Sequence, residues 1–208
     1  MKKKSDPAPL LWEHDRVLLP SAGLLCGIDE VGRGPLAGNV VAACVILDLN
    51  AEPIPGLNDS KKLSPTMREE LFPLIQEKAL AWSVGEATPE EIDEINILQA
   101  TFLAMRRALE SLNMNPALLL VDGNQKIPGV SLPQKTLVGG DALSASIAAA
   151  SVLAKVIRDR AMVEWDHELP GYGFADHKGY GTLDHREALF RQGLSPIHRR
   201  SFCSAFIR

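Results

Sequence analysis

The chain has 208 residues, of which 46% are hydrophobic and 23% charged, and its formal net charge at pH 7 is -4. This length and composition allow the chain to bury its own core and exclude a disordered or fibrous protein. Because the net charge is negative, the chain as a whole does not attract nucleic acid, and any phosphate-binding surface would have to be a local basic patch.

The N-terminal residues 1–7 are basic, but the apolar run of a signal peptide does not follow them. No segment approaches the roughly 18 uninterrupted apolar residues that indicate a membrane span. Three cysteines, Cys26, Cys44 and Cys203, lack CxxC spacing, which argues against a disulfide framework and a cysteine zinc site. We therefore expect a protein of the reducing cytoplasm.

Two early apolar runs predict neighbouring strands. Residues 24–29 form a short run that ends in carboxylates and glycines, which is typical of a buried strand that carries Asp29 at its end. Residues 40–47 are continuous and rich in β-branched side chains, as expected of a strand covered on both faces. The intervening residues 32–35 predict a turn, so the two strands should form an antiparallel hairpin.

The next segment predicts a loop at residues 53–60 and then two helix starts. Ser64 followed by Pro65 has the pattern of a helix cap and first helical position. After a predicted strand at residues 81–86, Thr88 repeats this pattern, and Glu91 is spaced to close a capping box. Apolar residues then recur at helical spacing; they are Ile92, Ile95, Leu98, Phe102, Met105, Leu109 and Leu112.

The second half of the chain predicts another strand, a packed helix and a helical tail. Residues 117–121 form a buried-strand pattern that again ends on a carboxylate and a glycine. The alanine-rich residues 147–156 suit a helix packed closely against a sheet. From Pro170 onward the composition indicates a small helical region with irregular connections. Together these elements predict an α/β fold.

Four carboxylates stand where apolar sequence ends: Asp29, Glu30, Asp122 and Asp141. Carboxylates at the ends of neighbouring strands can converge as the hard oxygen ligands of two divalent cations, which would indicate phosphoryl transfer. Each could instead be structural, as a turn former or, for Asp141, as a helix cap. Adjacent strand residues also point to opposite faces, so Asp29 and Glu30 could share one site only where the strand breaks up.

The sequence signal is weaker for the other candidate ligand-binding residues. Gly32, Arg33 and Gly34 match no known phosphate-loop fingerprint, although glycines allow close backbone approach and Arg33 offers a donor fork for phosphate. Residues 59–62 and 198–200 are local basic groups that could be solvated surface, or a duplex-binding track if they converged. Tyr180 could stack on a substrate or belong to the core. The histidines lack zinc-binding spacing, which favours structural roles for His14, His167, His177 and His185.

Several ordered motifs resemble the bacterial ribonuclease HII family. These are GIDEVGRGPLAG at residues 27–38, NDSKKLS at 58–64, LLVDG at 119–123, GDALSASIAAASVLAKVIRD at 140–159, HKGYGT at 177–182 and SPIHRRSF at 195–202. Asn39 departs from the family pattern, in which proline is usual at this position. Asp159, although conspicuous, is interpreted as a helix-surface ion-pair residue.

The resemblance implies a ribonuclease H-like mixed sheet flanked by helices. It implies an N-terminal extension at residues 1–20, a catalytic core at 21–168, and a helical C-terminal region at 169–208 that completes the substrate cleft. The implied enzyme is a monomeric endonuclease that uses Mn2+ or Mg2+ and acts on RNA–DNA hybrids and on DNA duplexes with embedded ribonucleotides. The site residues that it implies are Asp29, Glu30, Asp122 and Asp141 for metal and catalysis, and Gly32, Arg33, Gly34, Ser60, Lys61 and Tyr180 for substrate.

Two alternatives remain open at the level of sequence. A different two-metal phosphoryl-transfer enzyme, such as a DNA nuclease or a transposase-like protein, would carry the same carboxylates. A non-catalytic hybrid-binding module would gain little from clustered negative charge beside phosphates, which argues against it.

Overall fold

The structure is a computed structural model, and it describes residues 6–21 and 23–206. The basic residues at positions 1–5, which entered the expectation about a signal peptide, lie outside the described residues. Within the described ranges, no helix is long and apolar enough to cross a membrane.

One five-stranded mixed sheet forms the centre of the molecule. Its strands are β1 (Leu25–Val31), β2 (Val40–Leu47), β3 (Ala79–Ala87), β4 (Leu118–Asp122) and β5 (Gln134–Leu137), in the order β3-β2-β1-β4-β5. The antiparallel hairpin of β1 and β2 is confirmed, whereas β4 and β5 run parallel to β1 and to β4 respectively. The short β5 was not predicted, because its four residues, QKTL, carry no apolar alternation that would mark a strand.

Helices cover both faces of this sheet, and two short helices lie in the C-terminal region. In chain order the helices are α1 (Ala8–Leu18), α2 (Pro65–Lys78), α3 (Pro89–Glu110), α4 (Ala145–Glu168), α5 (Phe174–His177) and α6 (Leu183–Gln192). Helix α4 extends beyond the predicted residues 147–156 at both ends. Helix α1 was not predicted; it packs against the core through Trp12, and Asp15 on α1 accepts a hydrogen bond from the backbone N–H of Ser146 on α4.

Strand β2 is buried on both faces, as its continuous apolar sequence predicted. Val41, Ala43 and Val45 point into the layer that contains α4, whereas Ala42 and Cys44 point into the layer that contains α3. Alternation of side chains along a strand therefore divides one apolar run between two cores. The sheet is held from both sides, which fixes the position of the strand ends that carry the carboxylates.

Glycines allow both covering helices to approach the sheet. A Cβ atom at Gly27 of β1 would overlap the backbone of Ser146 and Ile147 on α4. A Cβ atom at Gly85 of β3 would overlap the backbone of α3 in the same way. The close approach of α4 places its polar side chains directly beside the carboxyl end of β1.

The predicted helix starts are confirmed, and one of these helices contains a kink. The hydroxyl of Ser64 accepts from the backbone of Met67, and Thr88 forms a complete capping box with Glu91. Within α3, Asn96 has φ +68, which breaks the helix into two parts. The Asn96 side chain then accepts from the backbone of the residues that start the second part.

The C-terminal region packs against the end of α4 and against the loop between β1 and β2. Its apolar cluster includes Phe174, Tyr172 and Leu189, together with Met162 of α4 and Ala37 of the loop. The isolated bridge between Ala37 and His198 joins the same two segments. The predicted helical tail is thus attached to the loop that contains the Gly-Arg-Gly sequence.

Candidate active site

Three parallel strands bring the predicted carboxylates to one edge of the sheet. Strands β1, β4 and β5 run in the same direction, so their carboxyl ends lie side by side. Ile28 pairs with Val121, which puts Asp29 next to Asp122 across the ladder. Asp141 lies in a short 3-10 turn, Gly140–Ala142, just beyond the end of β5.

Asp29 is almost fully buried on the side of the sheet that faces α4. Its carboxylate accepts hydrogen bonds from the backbone N–H of Glu30, at 2.8 Å, and from the hydroxyl of Ser151 on α4. Burial, followed by repulsion from Glu30 and Asp122, raises the pKa of Asp29 well above its usual range. The side chain is therefore held in place while its negative charge is disfavoured.

Glu30 points to the opposite face of the sheet, because β1 continues without a break to Val31. Its side chain lines a cavity of about 150 Å³ between the sheet and α3, together with Arg33 and Asp122. Arg33 Nη1 lies 3.3 Å from Glu30 Oε1. Burial raises the pKa of Glu30, and Arg33 opposes this rise. Strand β1 therefore does not break up at Asp29 and Glu30, and the two side chains interact electrostatically from opposite faces.

Asp122 and Asp141 are joined through the loop that follows β5. Asp122 Oδ1 accepts from the backbone N–H of Gly140 at 2.7 Å, and Asp141 Oδ2 accepts from Lys61 Nζ at 2.9 Å. Burial raises the pKa of Asp122, and repulsion from Asp141 adds to this effect. The alternative role of Asp141 as the cap of α4 is wrong, since Ser144 caps that helix.

The four carboxylates form one electrostatic cluster whose outer members are neutralised by cations of the chain. Arg33 binds Glu30 and Lys61 binds Asp141, while burial and mutual repulsion raise the pKa of the remaining members. Across residues 6–21 and 23–206, no three His, Cys, Asp or Glu side chains are already grouped as a metal site. The donor set consists of hard oxygen ligands, which fits Mg2+ or Mn2+ in chemistry.

The Gly-Arg-Gly loop lies against the loop that carries Tyr180. The backbone N–H of Leu36 donates to the carbonyl of Gly179 at 2.8 Å. A Cβ atom at Gly34 would lie 3.7 Å from Cε1 of Tyr180, an ordinary contact, and Gly34 has no positive φ. Neither strain nor crowding therefore requires glycine at this position. Tyr180 is 43% exposed, so its interpretation as a core residue is wrong.

Of the two basic segments, only residues 59–62 approach the carboxylates. Lys61 is largely exposed except for its ion pair, and it carries charge close to Asp141 and Asp29. Ser60 is buried, and its hydroxyl lies 2.7 Å from the hydroxyl of Ser151, which itself binds Asp29. A chain of hydroxyl groups therefore leads from the loop to the carboxylate.

The second basic segment is solvated only at Arg200, because His198 and Arg199 are buried. His198 Nε2 lies 2.9 Å from His185 Nε2, and His177 stacks on His185. Burial lowers the pKa of His185 and of His198 to about 4, so both imidazoles are neutral at pH 7. The predicted structural role of His177 and His185 is consistent with these contacts. Asp159 forms the expected ion pair, with Lys155 at 2.7 Å.

Sequence reasoning missed the supporting roles of three residues, one of which, Arg199, had been named only as part of the basic segment 198–200. Ser151 is a hydroxyl on an otherwise apolar helix face, a weak signal that was available in the sequence. Arg158 and Arg199 gave no such signal, since an arginine in a charged stretch usually lies in solvent. Both are buried and donate to the Gly-Arg-Gly loop.

Comparisons with known proteins agree with this fold. A family model described as Ribonuclease HII matches residues 26–205. The chain is 54% identical over 199 residues to Ribonuclease HII of Polaromonas sp., covering 96% of each chain. It is 58% identical over 179 residues to Ribonuclease HII of Acinetobacter baylyi, covering 86% of this chain and 94% of that relative.

Solved structures give the same result. Ribonuclease H2 from Pyrococcus horikoshii has a TM-score of 0.71 at 26% identity, covering 88% of this chain and 96% of that one. RNase HII of Archaeoglobus fulgidus, solved as a complex with PCNA, has a TM-score of 0.66 at 26% identity, covering 85% and 93%. Bst-RNase HIII, solved in complex with Mn2+, shares the fold with a TM-score of 0.63 at 19% identity, covering 93% and 69%.

A mixed five-stranded sheet flanked by helices, with carboxylates clustered at one strand edge, defines a ribonuclease H-like nuclease. Such a protein is a hydrolase of phosphodiester bonds. The match along most of the sequence is more specific than the fold, and the chain belongs to the Ribonuclease HII family.

Proposed function

We propose that this nuclease hydrolyses the RNA strand of RNA–DNA hybrids and cuts on the 5′ side of single ribonucleotides embedded in duplex DNA. The products would be 3′-hydroxyl and 5′-phosphate ends. The observation that carries the proposal is the assembly of Asp29, Asp122 and Asp141 at the carboxyl ends of parallel strands. Membership of the Ribonuclease HII family supports an RNA–DNA substrate.

The four carboxylates would hold Mn2+ or Mg2+. When bound, two such ions activate the attacking water and stabilise the leaving oxygen. Asp29 is kept in place by Ser151 and by the backbone of Glu30, so it needs little movement to act as a ligand. Arg33 and Lys61, released from Glu30 and Asp141, would be free to bind phosphate oxygens of the substrate.

The loops that contain Gly34 and Tyr180 would read the nucleotide sugars. A single 2′-hydroxyl distinguishes RNA from DNA, and it both donates and accepts hydrogen bonds. The backbone of Gly32 and Gly34 can approach that hydroxyl closely, because glycine has no side chain. The exposed ring of Tyr180, which faces the open side of Gly34, would pack on the following deoxyribose, where a 2′-hydroxyl fits poorly.

The remaining parts of the chain would complete this machinery. Ser60, which was expected at a phosphate, is buried; its hydroxyl lies beside that of Ser151 and its carbonyl accepts from Arg68. We further propose a monomer whose core spans residues 21–168, with an N-terminal extension at 1–20 and a helical region at 169–208 that completes the substrate cleft. Its three cysteines are free and buried, which is consistent with the cytoplasm.

A cleavage assay on three duplexes tests the proposed function. The substrates are a DNA duplex with one ribonucleotide, a uniform RNA–DNA hybrid and an all-DNA duplex, each with and without Mn2+ or Mg2+. We expect cleavage of the first two only, in the presence of metal, with the cut on the 5′ side of the single ribonucleotide. Cleavage of all-DNA would favour a DNA nuclease instead, and binding without cleavage would favour a hybrid-binding module.

Tyr180→Ala is expected to reduce preference for the junction. The ratio of cleavage rates for the single-ribonucleotide duplex and the uniform hybrid should fall by about tenfold, since loss of ring packing is worth about 1–3 kcal/mol. Leu183→Ala, which also truncates an exposed apolar side chain in this region, is the matched control. If Tyr180→Ala slows both substrates equally, or neither, the residue does not read the junction.

A further inference from the structure

Arg199 is a fully buried arginine whose hydrogen bonds all end on one loop. Its guanidinium donates to the carbonyl oxygens of Gly32 at 2.6 Å, Arg33 at 3.1 Å and Pro35 at 2.8 Å. It donates twice to the carbonyl of Gly38, from Nε at 3.0 Å and from Nη2 at 2.6 Å. Five bonds from a residue near the C-terminus therefore span the whole loop between β1 and β2.

Burying this guanidinium costs free energy, and its hydrogen bonds offset that cost only while the loop keeps one shape. Burying a guanidinium among main-chain carbonyls forfeits its hydration, which only complete hydrogen bonding can offset. The loop contains Gly32, Gly34 and Gly38, so its backbone by itself could adopt many conformations. Arg199 removes that freedom. The cation also lies 5.3 Å from the ring centre of Phe202, which covers it.

A second buried arginine extends the attachment to the loop of Tyr180. Arg158 of α4 donates to the carbonyls of Ala37 and Asn39 and to that of Lys178, each at 3.0 Å. A Cβ atom at Gly32 would overlap the Arg158 side chain, so glycine at this position admits the arginine. The spacing between Gly34 and Tyr180 is thus set by buried cations behind the two loops.

We propose that Arg199 is a positioning residue that fixes the backbone of the Gly-Arg-Gly loop and thereby sets the gap between Gly34 and Tyr180 in which the RNA–DNA junction is read. The inference rests on the proposed function, because it assumes that this gap reads the substrate. Arg199 itself is buried and touches no substrate. It acts through the positions of the carbonyl oxygens that it holds.

Arg199→Lys tests this role, because lysine keeps the charge but has three donors on one atom and cannot reach carbonyls spread along the loop. We expect kcat/KM on the single-ribonucleotide duplex to fall by about 10²-fold, a loss typical of a displacement near 1 Å in a substrate-positioning group. The ratio of junction to uniform-hybrid cleavage should fall as well. Arg200→Ala is the matched control, since the side chain of Arg200 is exposed.

A second measurement separates positioning from general damage. The shift in melting temperature caused by saturating Mn2+ should be the same in Arg199→Lys and in the wild-type protein, because the carboxylate cluster does not contact Arg199. If Arg199→Lys fails to fold, Phe202→Leu decides the question; it removes the covering ring and should lower the junction ratio in the same direction by a smaller factor.

Two results would contradict the inference, each at a different step. Suppose first that Tyr180→Ala lowers the ratio of junction to uniform-hybrid cleavage. If Arg199→Lys then leaves this ratio unchanged, Arg199 serves stability alone. Where the lysine variant does not fold, an unchanged ratio in Phe202→Leu has the same meaning. If Tyr180→Ala and Arg33→Ala also leave the ratio unchanged, junction reading by this gap has failed. In that case the proposed recognition is wrong, and the positioning role fails with it.

Discussion

Asp29→Asn is expected to abolish cleavage of both the single-ribonucleotide duplex and the uniform hybrid while the protein remains folded. The amide keeps the shape and one acceptor oxygen but removes the charge of a proposed metal ligand. Charge stabilisation by a catalytic metal is worth several kcal/mol, so the rate should fall by about 10³-fold or more. Cleavage assays at saturating Mn2+ and Mg2+ measure this loss.

The same substitution should not lower stability in the absence of metal. The folded-state pKa of Asp29 is raised, chiefly by burial and then by Glu30 and Asp122. When the pKa of a carboxyl group is higher in the folded protein than in the unfolded chain, the protein loses stability as the pH rises from the unfolded to the folded pKa. At neutral pH the charge of Asp29 therefore destabilises the fold. The neutral amide relieves this repulsion, and the melting temperature in metal-free buffer should remain equal or rise.

A matched control is available at the opposite end of the strands. Asp48 follows β2 immediately, but β2 runs antiparallel to β1, so Asp48 lies far from the carboxyl end of β1. Asp48→Asn should therefore leave cleavage unchanged. Near-normal turnover in Asp29→Asn with a normal melting curve would remove Asp29 from the proposed site.

Removal of divalent metal is expected to have an effect of comparable size. Excess EDTA should abolish cleavage, and either Mn2+ or Mg2+ should restore it, because the cluster offers only hard oxygen ligands. Zinc should restore it poorly. Undiminished cleavage in EDTA would contradict the two-metal mechanism.

Metal binding can also be measured without catalysis. An ion that binds only the folded state stabilises it by about 2.7 kcal/mol at 100 times its Kd, which raises the melting temperature of a chain of this size by roughly 5–11 °C. The wild-type protein should show such a shift with Mn2+. Asp122→Asn should show a much smaller one, because it removes one ligand charge without disturbing Lys61 or Arg33.

The sequence by itself determined the elements that depend on local patterns. Continuous apolar residues at 40–47 predicted a strand buried on both faces, and the spacing of Thr88 and Glu91 predicted a capping box. Carboxylates placed directly after apolar runs identified Asp29 and Asp122. The predictions of the strand and of the capping box are confirmed, because burial and capping each leave a signature within a few residues. The metal-binding role of Asp29 and Asp122 stays a prediction.

Only the tertiary structure decided how distant segments meet. Strand β5 exists because β4 offers it an edge, and Asp141 reaches the cluster through the loop that follows β5. Nothing in the local sequence marks Arg199 as buried, since the carbonyl oxygens that it binds belong to residues more than 160 positions earlier. A buried cation is tolerated only where folding has gathered its acceptors, and that condition is a property of the assembled molecule.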